Sequence, residues 1–520
     1  MRREDFLKTK IYGYRTYEEA KEKFEWSQAW ELFDGNEEGF NIAHECIDRH
    51  PAEETAVRIK FEDGHVEEYN FGFISTLSSQ FANALESRGI NFGDRVAIML
   101  DPSLEFYVSL FGTLKRGAIV VPCFNQFGPE ALNQRLEDSQ ARMLVTTVEK
   151  AKLADDKSLD TVRIGHLFQE ILAKENNRYE PKTAVKDFAV YQYTSGTTRK
   201  YAEAVKHYHR SIVNLMPAAI FGRGVKKGDK FFCPSSPAWG YGLWIGTFAP
   251  LALGVAVGAY SGKFDARRLL EALEQFEINN FSAAPTVFRM IRESRLVDQY
   301  KFKINKIHYS GEPIDLDTFN FVKETFGVSP VSGYGSTEVG PIIYNYAGFD
   351  NWLVKPGSLG KPMPGIEVKV INDTGKETAN GQIGEIAIKR RGEWFRAKDA
   401  AVVDEDGYFW HKGRVDDIII SAAWTISPNE VEDVLLKHRA VKEVAVLGIP
   451  DKERGQIVKA FIVPNVEPNL ALKKELQDFV KDRLSKHEYP REIEFMGALP
   501  KTEAGKIKRK ELKERGFQKP

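Results

Sequence analysis

Four short stretches carry residue types that can do chemistry together. The first is Tyr193-Thr-Ser-Gly-Thr-Thr198. Thr194, Ser195, Thr197 and Thr198 set hydroxyls around Gly196, so backbone N–H and side-chain OH groups can surround phosphate oxygens. It is not a GxxxxGK[ST] loop, and a plain Ser/Thr-rich turn has the same composition. The second is Gly333-Tyr-Gly-Ser-Thr-Glu338. Glycines beside Tyr334 let a flat ring lie along the backbone, Thr337 offers a hydroxyl to phosphate, and Glu338 offers a hard oxygen for Mg²⁺. A glycine-rich β-turn would look alike. The third is Asp406-Gly-Tyr-Phe-Trp-His-Lys-Gly-Arg-Val-Asp-Asp-Ile418, a hairpin signal that leads through Arg414 into paired acids, as a hinge or a solvated surface hairpin would. The fourth, Leu499-Pro-Lys-Thr-Glu-Ala-Gly-Lys-Ile-Lys-Arg509, puts Lys506 behind a glycine, on a loop that could swing into a distant site or on a solvated basic tail.

The elements that must position these stretches follow from periodicity. Ile74, Leu77, Phe81 and Leu85 recur at helical spacing from Phe71, with Gly89 as a stop. Arg95–Leu100 then reads as a buried strand, Leu104–Arg116 as a helix ended by Gly117, Ala118–Pro122 as a strand, Pro129–Asp138 as a helix and Met143–Thr147 as a strand. This alternation predicts parallel sheets covered by helices. It recurs from Lys230 to about Val331, with a helix over Ala266–Phe276 and a strand from Asn280. Residues 1 to about 40 read as a lead-in packed on the surface. Near residue 360 Gly-Pro punctuation and short alternating runs such as Ile366–Ile371 predict a small β-rich lobe. After Arg414 a small α+β domain follows: strand Asp417–Ser421, helix Pro428–His438, strands Val444–Gly448 and Val458–Val463, helix Leu472–Leu484 and strand Glu492–Met496. Ser427 and Glu430 form the pattern of a capping box. The expected fold class is α/β.

Composition narrows the function. The chain has 520 residues, enough for two to four lobes, with 42 % hydrophobic and 28 % charged residues, an ordinary globular balance. A formal net charge of −1 gives no field for nucleic acid. Cys46, Cys123 and Cys233 are far apart and form no CxxC, which argues against a zinc site or disulfide framework and for a reducing compartment. The N-terminus lacks a signal-peptide apolar stretch, and the longest apolar run, Trp244–Val257, is broken by Gly246, Pro250 and Gly254 and reads as buried core. The expectation is a cytoplasmic enzyme.

In their order and spacing the four stretches resemble the adenylate-forming superfamily of acyl-CoA synthetases, peptide-synthetase adenylation domains and luciferases, over nearly the whole chain. Ala283-Ala-Pro-Thr-Val-Phe-Arg289, Ser310-Gly-Glu-Pro313, Gly384-Glu-Ile386, Gly448-Ile-Pro-Asp-Lys-Glu-Arg-Gly455, Gly93-Asp-Arg-Val96 and Lys115-Arg-Gly-Ala118 fit it too. Phe288-Arg289 and Pro237-Ala-Trp-Gly-Tyr-Gly242 are most similar to the medium-chain and aryl (benzoate-type) acyl-CoA ligases.

The resemblance implies an ATP-dependent, AMP-forming acid–CoA ligase acting on a medium-chain, branched or aromatic acid, with ATP, Mg²⁺ and coenzyme A as co-substrates. It implies a large N-terminal adenylation domain over residues 1–415, its β-rich lobe at about 355–415, and a mobile C-terminal domain over 416–520. Thr194, Ser195, Gly196, Thr197 and Thr198 would hold the ATP phosphates. Tyr334 would stack on adenine beside the Gly311-Glu312-Pro313 backbone, with Gly333, Gly335 and Ser336 in the same nucleotide site. Thr337 would meet the α-phosphate and Glu338 the Mg²⁺. Asp399 and Arg414 would read the ribose. Lys506 would bring its ammonium to the carboxylate and α-phosphate, with Thr194 and Glu338 as further catalytic groups. Asp416 would be the hinge, Trp239, Tyr241 and Gly333 the acyl wall, and Ala422, Ala423 and Trp424 the coenzyme A channel. No membrane span or nucleic-acid partner is implied, and a homo-oligomer stays open.

Three departures from the family pattern stand out. The phosphate loop, usually followed by Gly-Lys-Pro-Lys-Gly, continues Arg199-Lys200-Tyr201-Ala202-Glu203, leaving Lys200 and Lys206 as candidates for the pyrophosphate contact and Arg199 as a partial replacement. The thiol-channel segment reads Ala422-Ala423-Trp424-Thr425-Ile426-Ser427-Pro428 where Ser-Gly-Tyr-Arg-Ile-Gly-Pro is usual. Ala397-Lys398 replaces Thr-Gly before Asp399. Two other readings remain at this point: a stand-alone adenylating enzyme that loads a carrier protein, and a non-catalytic acyl-nucleotide-binding regulator. Retention of Glu338, Asp399 and Lys506 speaks against the regulator.

Overall fold

The computed structural model describes residues 9–156, 159–163, 166–173, 175–193, 204–336, 339–390, 392–421, 424–451, 455–484, 488–501 and 507–517. Contacts divide the described chain into two compact units, the first ending at Gly365 and the second beginning at Ile366.

In the first unit the predicted alternation builds two sheets among the described residues. One has six strands in the order Asp160–Arg163, Ala141–Thr146, Arg95–Met99, Ile119–Pro122, Phe188–Tyr193, Ala204–Tyr208, all parallel except the last pair. Its central strands are apolar because both faces are covered: Val96 to Met99 and Ile119 to Pro122 are all buried. The covering helices Phe71–Ser87 and Leu104–Arg116 end as the sequence predicts. Ser103 Oγ accepts from Phe106 N–H at 3.2 Å, and Gly117 takes φ +74° so that its N–H and that of Ala118 meet the last carbonyls. The second sheet has nine strands, in the order Lys361–Pro362, Gly340–Tyr344, Val331–Ser336, Lys306–Ser310, Asn280–Ala283, Lys230–Phe232, Ala256–Tyr260, Thr55–Lys60, Val66–Asn70. Its middle is parallel, and antiparallel strands close both edges. Helices Ala266–Gln275, Pro285–Ser294 and Leu316–Phe326 bury Leu269, Leu273, Phe288 and Val322 in its core, at about 1.5–3 kcal/mol for each large side chain.

In this unit one expectation is corrected and one alternative reading falls away. The lead-in is not a surface appendage: Ile11, Ala20 and Leu32 are fully buried, and Tyr17 packs on Tyr346 and Trp352 and donates its hydroxyl to Pro362 O at 2.9 Å. Its aromatic residues supply that packing. The glycine-rich segment from Gly333 to Ser336 is strand, not turn, and pairs with Gly340–Tyr344 across an irregularity at Tyr334/Gly335.

The second unit holds an antiparallel sheet of Val368–Ile371, Gly384–Arg390, Glu393–Val403 and Phe409–Arg414, the expected β-rich lobe. A five-stranded sheet follows, covered by helices Pro428–Leu436 and Leu470–Lys481. Between the two sheets lies the short turn Val415–Asp417, where the sequence puts the hinge. Strands Val441–Asp451 and Gly455–Pro464 run longer than their apolar cores suggest, because the backbone ladder continues through polar residues at their ends. The capping box is half made. Ser427 Oγ accepts from Glu430 N–H at 3.4 Å, but the Glu430 carboxylate turns to Lys412 instead of back to the cap.

All three cysteines are buried and free. No helix among the described residues is long and apolar enough to cross a membrane.

Candidate active site

In the first unit, the nucleotide residues Gly311, Glu312 and Pro313 follow the end of the strand Lys306–Ser310, which is paired in parallel with Val331–Ser336. Gly311 has φ +95°, a conformation that favours glycine, with open space where a side chain would stand. The Glu312 carboxylate is already engaged: it accepts from Thr286 N–H at 2.9 Å and from Arg289 at 2.6 Å. What this turn leaves open to a ligand is therefore its backbone. Arg289, seen in the sequence only as a mark of one branch, is the anchor that holds Glu312 away. Across the pair, Ser310 Oγ donates to Gly333 O at 2.7 Å. Gly335 lies so near the returning strand that a Cβ there would be 2.2 Å from Gly340 O. This close-packed glycine ledge lies on the strand next to the one that leads to the open Gly311.

The acyl-wall residues separate into two places. Trp239 packs on Phe124 and Phe127, in a cluster that includes Tyr193 at the end of its strand. Tyr241 points to the nine-stranded sheet, where its hydroxyl is 3.1 Å from Ser282 Oγ and 3.2 Å from His308 Nδ1. Gly333 reaches the same histidine from the other side, since a Cβ at 333 would lie 2.5 Å from His308 Nε2 and 2.5 Å from the Tyr344 ring. Tyr344 Oη in turn accepts from the buried guanidinium of Arg223 at 3.1 Å. Burial, reinforced by Arg223, pushes the His308 pKa well below the ordinary histidine value, so the ring is neutral. Burial also raises the Tyr241 phenol, which stays protonated. Sequence reasoning missed His308, Ser282, Tyr344 and Arg223. They sit on strands and a helix whose apolar pattern hides single polar residues, and register alone, Ser282 opposite His308, brings them together.

In the second unit Asp399 and Arg414 are cross-strand partners, with Arg414 Nη1 3.4 Å from Asp399 Oδ1. His411 Nε2 lies at 3.4 Å from the same oxygen. The structure thus joins the two expected ribose readers and adds a histidine. Lys398, where the family has glycine, takes φ +61°, so the position demands a left-handed backbone that the side chain must tolerate.

Several expected residues lie outside the described set: Thr194, Ser195, Gly196, Thr197, Thr198, Arg199, Lys200, Thr337, Glu338, Ala422, Ala423 and Lys506. For Ser336, Asp416 and Trp424 the backbone is described and the side chain is not. Lys206, the other pyrophosphate candidate, holds its ammonium 4.9 Å over the Tyr191 ring. The flanks of the Lys506 segment meet in an antiparallel bridge between Lys501 and Ile507. No three His, Cys, Asp or Glu side chains gather to hold a metal ion among the described residues, and the expected Mg²⁺ ligand Glu338 is not one of them.

Known proteins resemble this chain over its length. The family model "AMP-binding enzyme" matches residues 44–393, and the model of the AMP-binding enzyme C-terminal domain matches 430–506. An acetyl-coenzyme A synthetase of Bacillus subtilis is 32% identical over 96% of this chain and 95% of its own. A mitochondrial acyl-coenzyme A synthetase of Rattus norvegicus is 31% identical over 92% of this chain and 90% of its own. The crystal structure of an anthranilate CoA ligase in complex with anthranoyl-AMP superposes with a TM-score of 0.84, at 27% identity, covering 95% of this chain and 99% of that one. With its glycine ledge, paired Asp399 and Arg414, and a family match over most of its length, the chain belongs to the AMP-binding enzymes, as an AMP-forming acyl-CoA synthetase.

Proposed function

We propose that this ligase activates a medium-chain, branched or aromatic carboxylic acid, with Tyr241, Gly333 and Trp239 walling the acyl group. The observation that carries this reading is the meeting of Tyr241 and Gly333 at one buried histidine, closed behind by the Tyr344 ring. A wall of packed rings limits chain length, because overpacking a buried aromatic cluster is costly. The named acyl groups of the relatives are short in one, acetyl, and aromatic in another, anthranoyl.

The chemistry runs in two displacements. A carboxylate oxygen attacks the α-phosphorus of ATP and pyrophosphate leaves; the coenzyme A sulfur then attacks the acyl carbon and AMP leaves. Mg²⁺, when bound, neutralises phosphate charge. In this reading the turn at Gly311 and the ledge at Gly333–Gly335 hold adenine, Tyr334 stacks on it, and Asp399 and Arg414 fix the ribose. Residues 194–198 hold phosphate oxygens, Thr337 meets the α-phosphate and Glu338 the metal. Lys506 stabilises the charge that builds on the α-phosphate, then withdraws by rotation of residues 416–520 about Asp416, and Ala422 to Trp424 face the thiol. Three buried free cysteines suit a reducing cytoplasm.

The test is AMP release in the presence of coenzyme A over a panel of acids from acetate to palmitate, with benzoate and branched acids included. Turnover centred on medium-chain, branched or aromatic acids supports the reading; turnover confined to long-chain acids overturns it.

A further inference from the structure

We propose that His411 is a positioning residue that makes the hold on the nucleotide ribose depend on how the C-terminal domain is turned. This inference rests on the reading in which Asp399 fixes the ribose and residues 416–520 rotate about Asp416.

His411 lies on the strand Phe409–Arg414, just before the turn Val415–Asp417. Its two ring nitrogens meet residues from the two sides of that turn. Nε2 is 3.4 Å from Oδ1 of the buried Asp399, on the neighbouring strand of the β-rich lobe. Nδ1 is 3.4 Å from Nδ2 of Asn429, in the first turn of the helix Pro428–Leu436. Asp399 belongs to the part that stays and Asn429 to the part that rotates. Two more contacts join the same strand to the same helix end. Ser427 Oγ donates to Lys412 O at 2.8 Å, and the Lys412 ammonium pairs with the Glu430 carboxylate.

An ionised carboxylate only accepts, so the nitrogen facing Asp399 must donate. An imidazole with its hydrogen on Nε2 accepts at Nδ1, and the Asn429 amide supplies that donor. One tautomer therefore serves both neighbours, and Asn429 selects it. Each contact is at the long end of the hydrogen-bond range, so a ring held at one end only is free to turn. Arg414 and His411 converge on the same oxygen of Asp399, and between them they set how the carboxylate faces the ribose hydroxyls. Rotation about Asp416 carries Asn429 away from His411 and parts Lys412 from Ser427 and Glu430. The ring then loses the partner that sets its tautomer, and Asp399 loses an orienting donor. The nucleotide is held firmly while the helix Pro428–Leu436 lies against this strand and more loosely once it leaves, so one movement both exchanges the faces of the C-terminal domain and changes the grip on AMP.

The experiment titrates the full chain with AMP by calorimetry. Asn429→Ala, which puts a good helix former into the first turn of a helix, should weaken AMP binding by at least about threefold. His411→Phe should weaken it by a similar factor, and the double variant should be no weaker than His411→Phe alone, because Asn429 acts only through the ring. His411→Gln, whose amide donates to one neighbour and accepts from the other, should keep most of the wild-type affinity. Wild-type affinity in Asn429→Ala overturns the proposal. So do separate losses that multiply in the double variant, which would mean two independent structural effects, and so does a His411→Gln as weak as His411→Phe. Asp399→Ala is the control for the underlying reading: AMP affinity unchanged there would bring down the ribose assignment itself, whereas a loss there beside an Asn429→Ala that binds like wild type would bring down only the coupling through His411.

Discussion

The guanidinium of Arg509 meets both carboxylate oxygens of Glu432, at 2.7 and 2.9 Å. It also donates to Val446 O at 2.8 Å, while Glu432 accepts from Val446 N–H at 2.7 Å. Next to it, Lys513 pairs with Asp417 at 2.9 Å. The helix Arg509–Phe517, which follows the Lys506 segment, is therefore stapled to the five-stranded sheet and to the turn beside Asp416. Arg509→Leu strands a largely buried carboxylate and should cost about 2–4 kcal/mol in urea unfolding. Adding Glu432→Leu should restore much of that loss; a double variant as weak as the single one would show that the pair is not the cause.

His209 sets a pH limit. It is fully buried, and Ile42 N–H donates to its Nδ1 at 3.1 Å, which fixes the hydrogen of the neutral ring on Nε2. Burial pushes its pKa down to about 3, and that of His50 also to about 3. The unfolded chain takes up these protons near pH 6.5, the native chain only near 3. Stability from each is thus intact above 6.5 and falls as the pH drops towards 3, at about 1.4 kcal/mol per pH unit per histidine. His209→Asn, which keeps an acceptor for Ile42, should flatten the slope between pH 6 and 4 by about one proton. A slope identical to wild type would remove His209 from the account.

Gly333→Ala puts a methyl group into space held by His308 and Tyr344. A fall of at least tenfold in kcat/KM for the acid is expected in pyrophosphate exchange, with the fold retained by circular dichroism. Adding His308→Ala should recover part of it, because the methyl then has room. No recovery would mean that the Tyr344 ring, not the histidine, is what the methyl disturbs.

Lys398 pays for its left-handed backbone. Lys398→Gly should raise the unfolding free energy by up to about 1 kcal/mol, net of the added freedom of the unfolded chain. A lower Tm would count against strain at this position.

Lys506→Ala should slow adenylate formation by about 3–4 kcal/mol of barrier while leaving thioester formation from supplied acyl-AMP largely intact. Equal loss in both half-reactions would contradict a lysine that serves only the first.

Much of the fold was legible because it is written in period and punctuation. The helix Leu104–Arg116 lies between a serine that caps it and a glycine that ends it, and both carry their signal in residue type. The Asp399–Arg414 pair was legible through motif and hairpin turn. The lead-in was not, because aromatic residues packed against distant chain, such as Tyr17 on Tyr346, leave no periodic trace. The polar group around His308 was equally hidden. Its members come from four separate segments, three of them strands set by register and the fourth the end of the helix Ala218–Gly222.

The burial of every thiol has a practical corollary. Burial raises Cys123 to about 12 and Cys233 to about 11, and lifts Cys46 well above its usual value, so none is a thiolate at neutral pH. An enzyme whose co-substrate is itself a thiol thereby keeps its own sulfurs out of exchange with oxidised coenzyme A. Alkylating reagents should label the native chain hardly at all and the denatured chain fully, which turns its cysteines into reporters of when, and how far, the molecule opens.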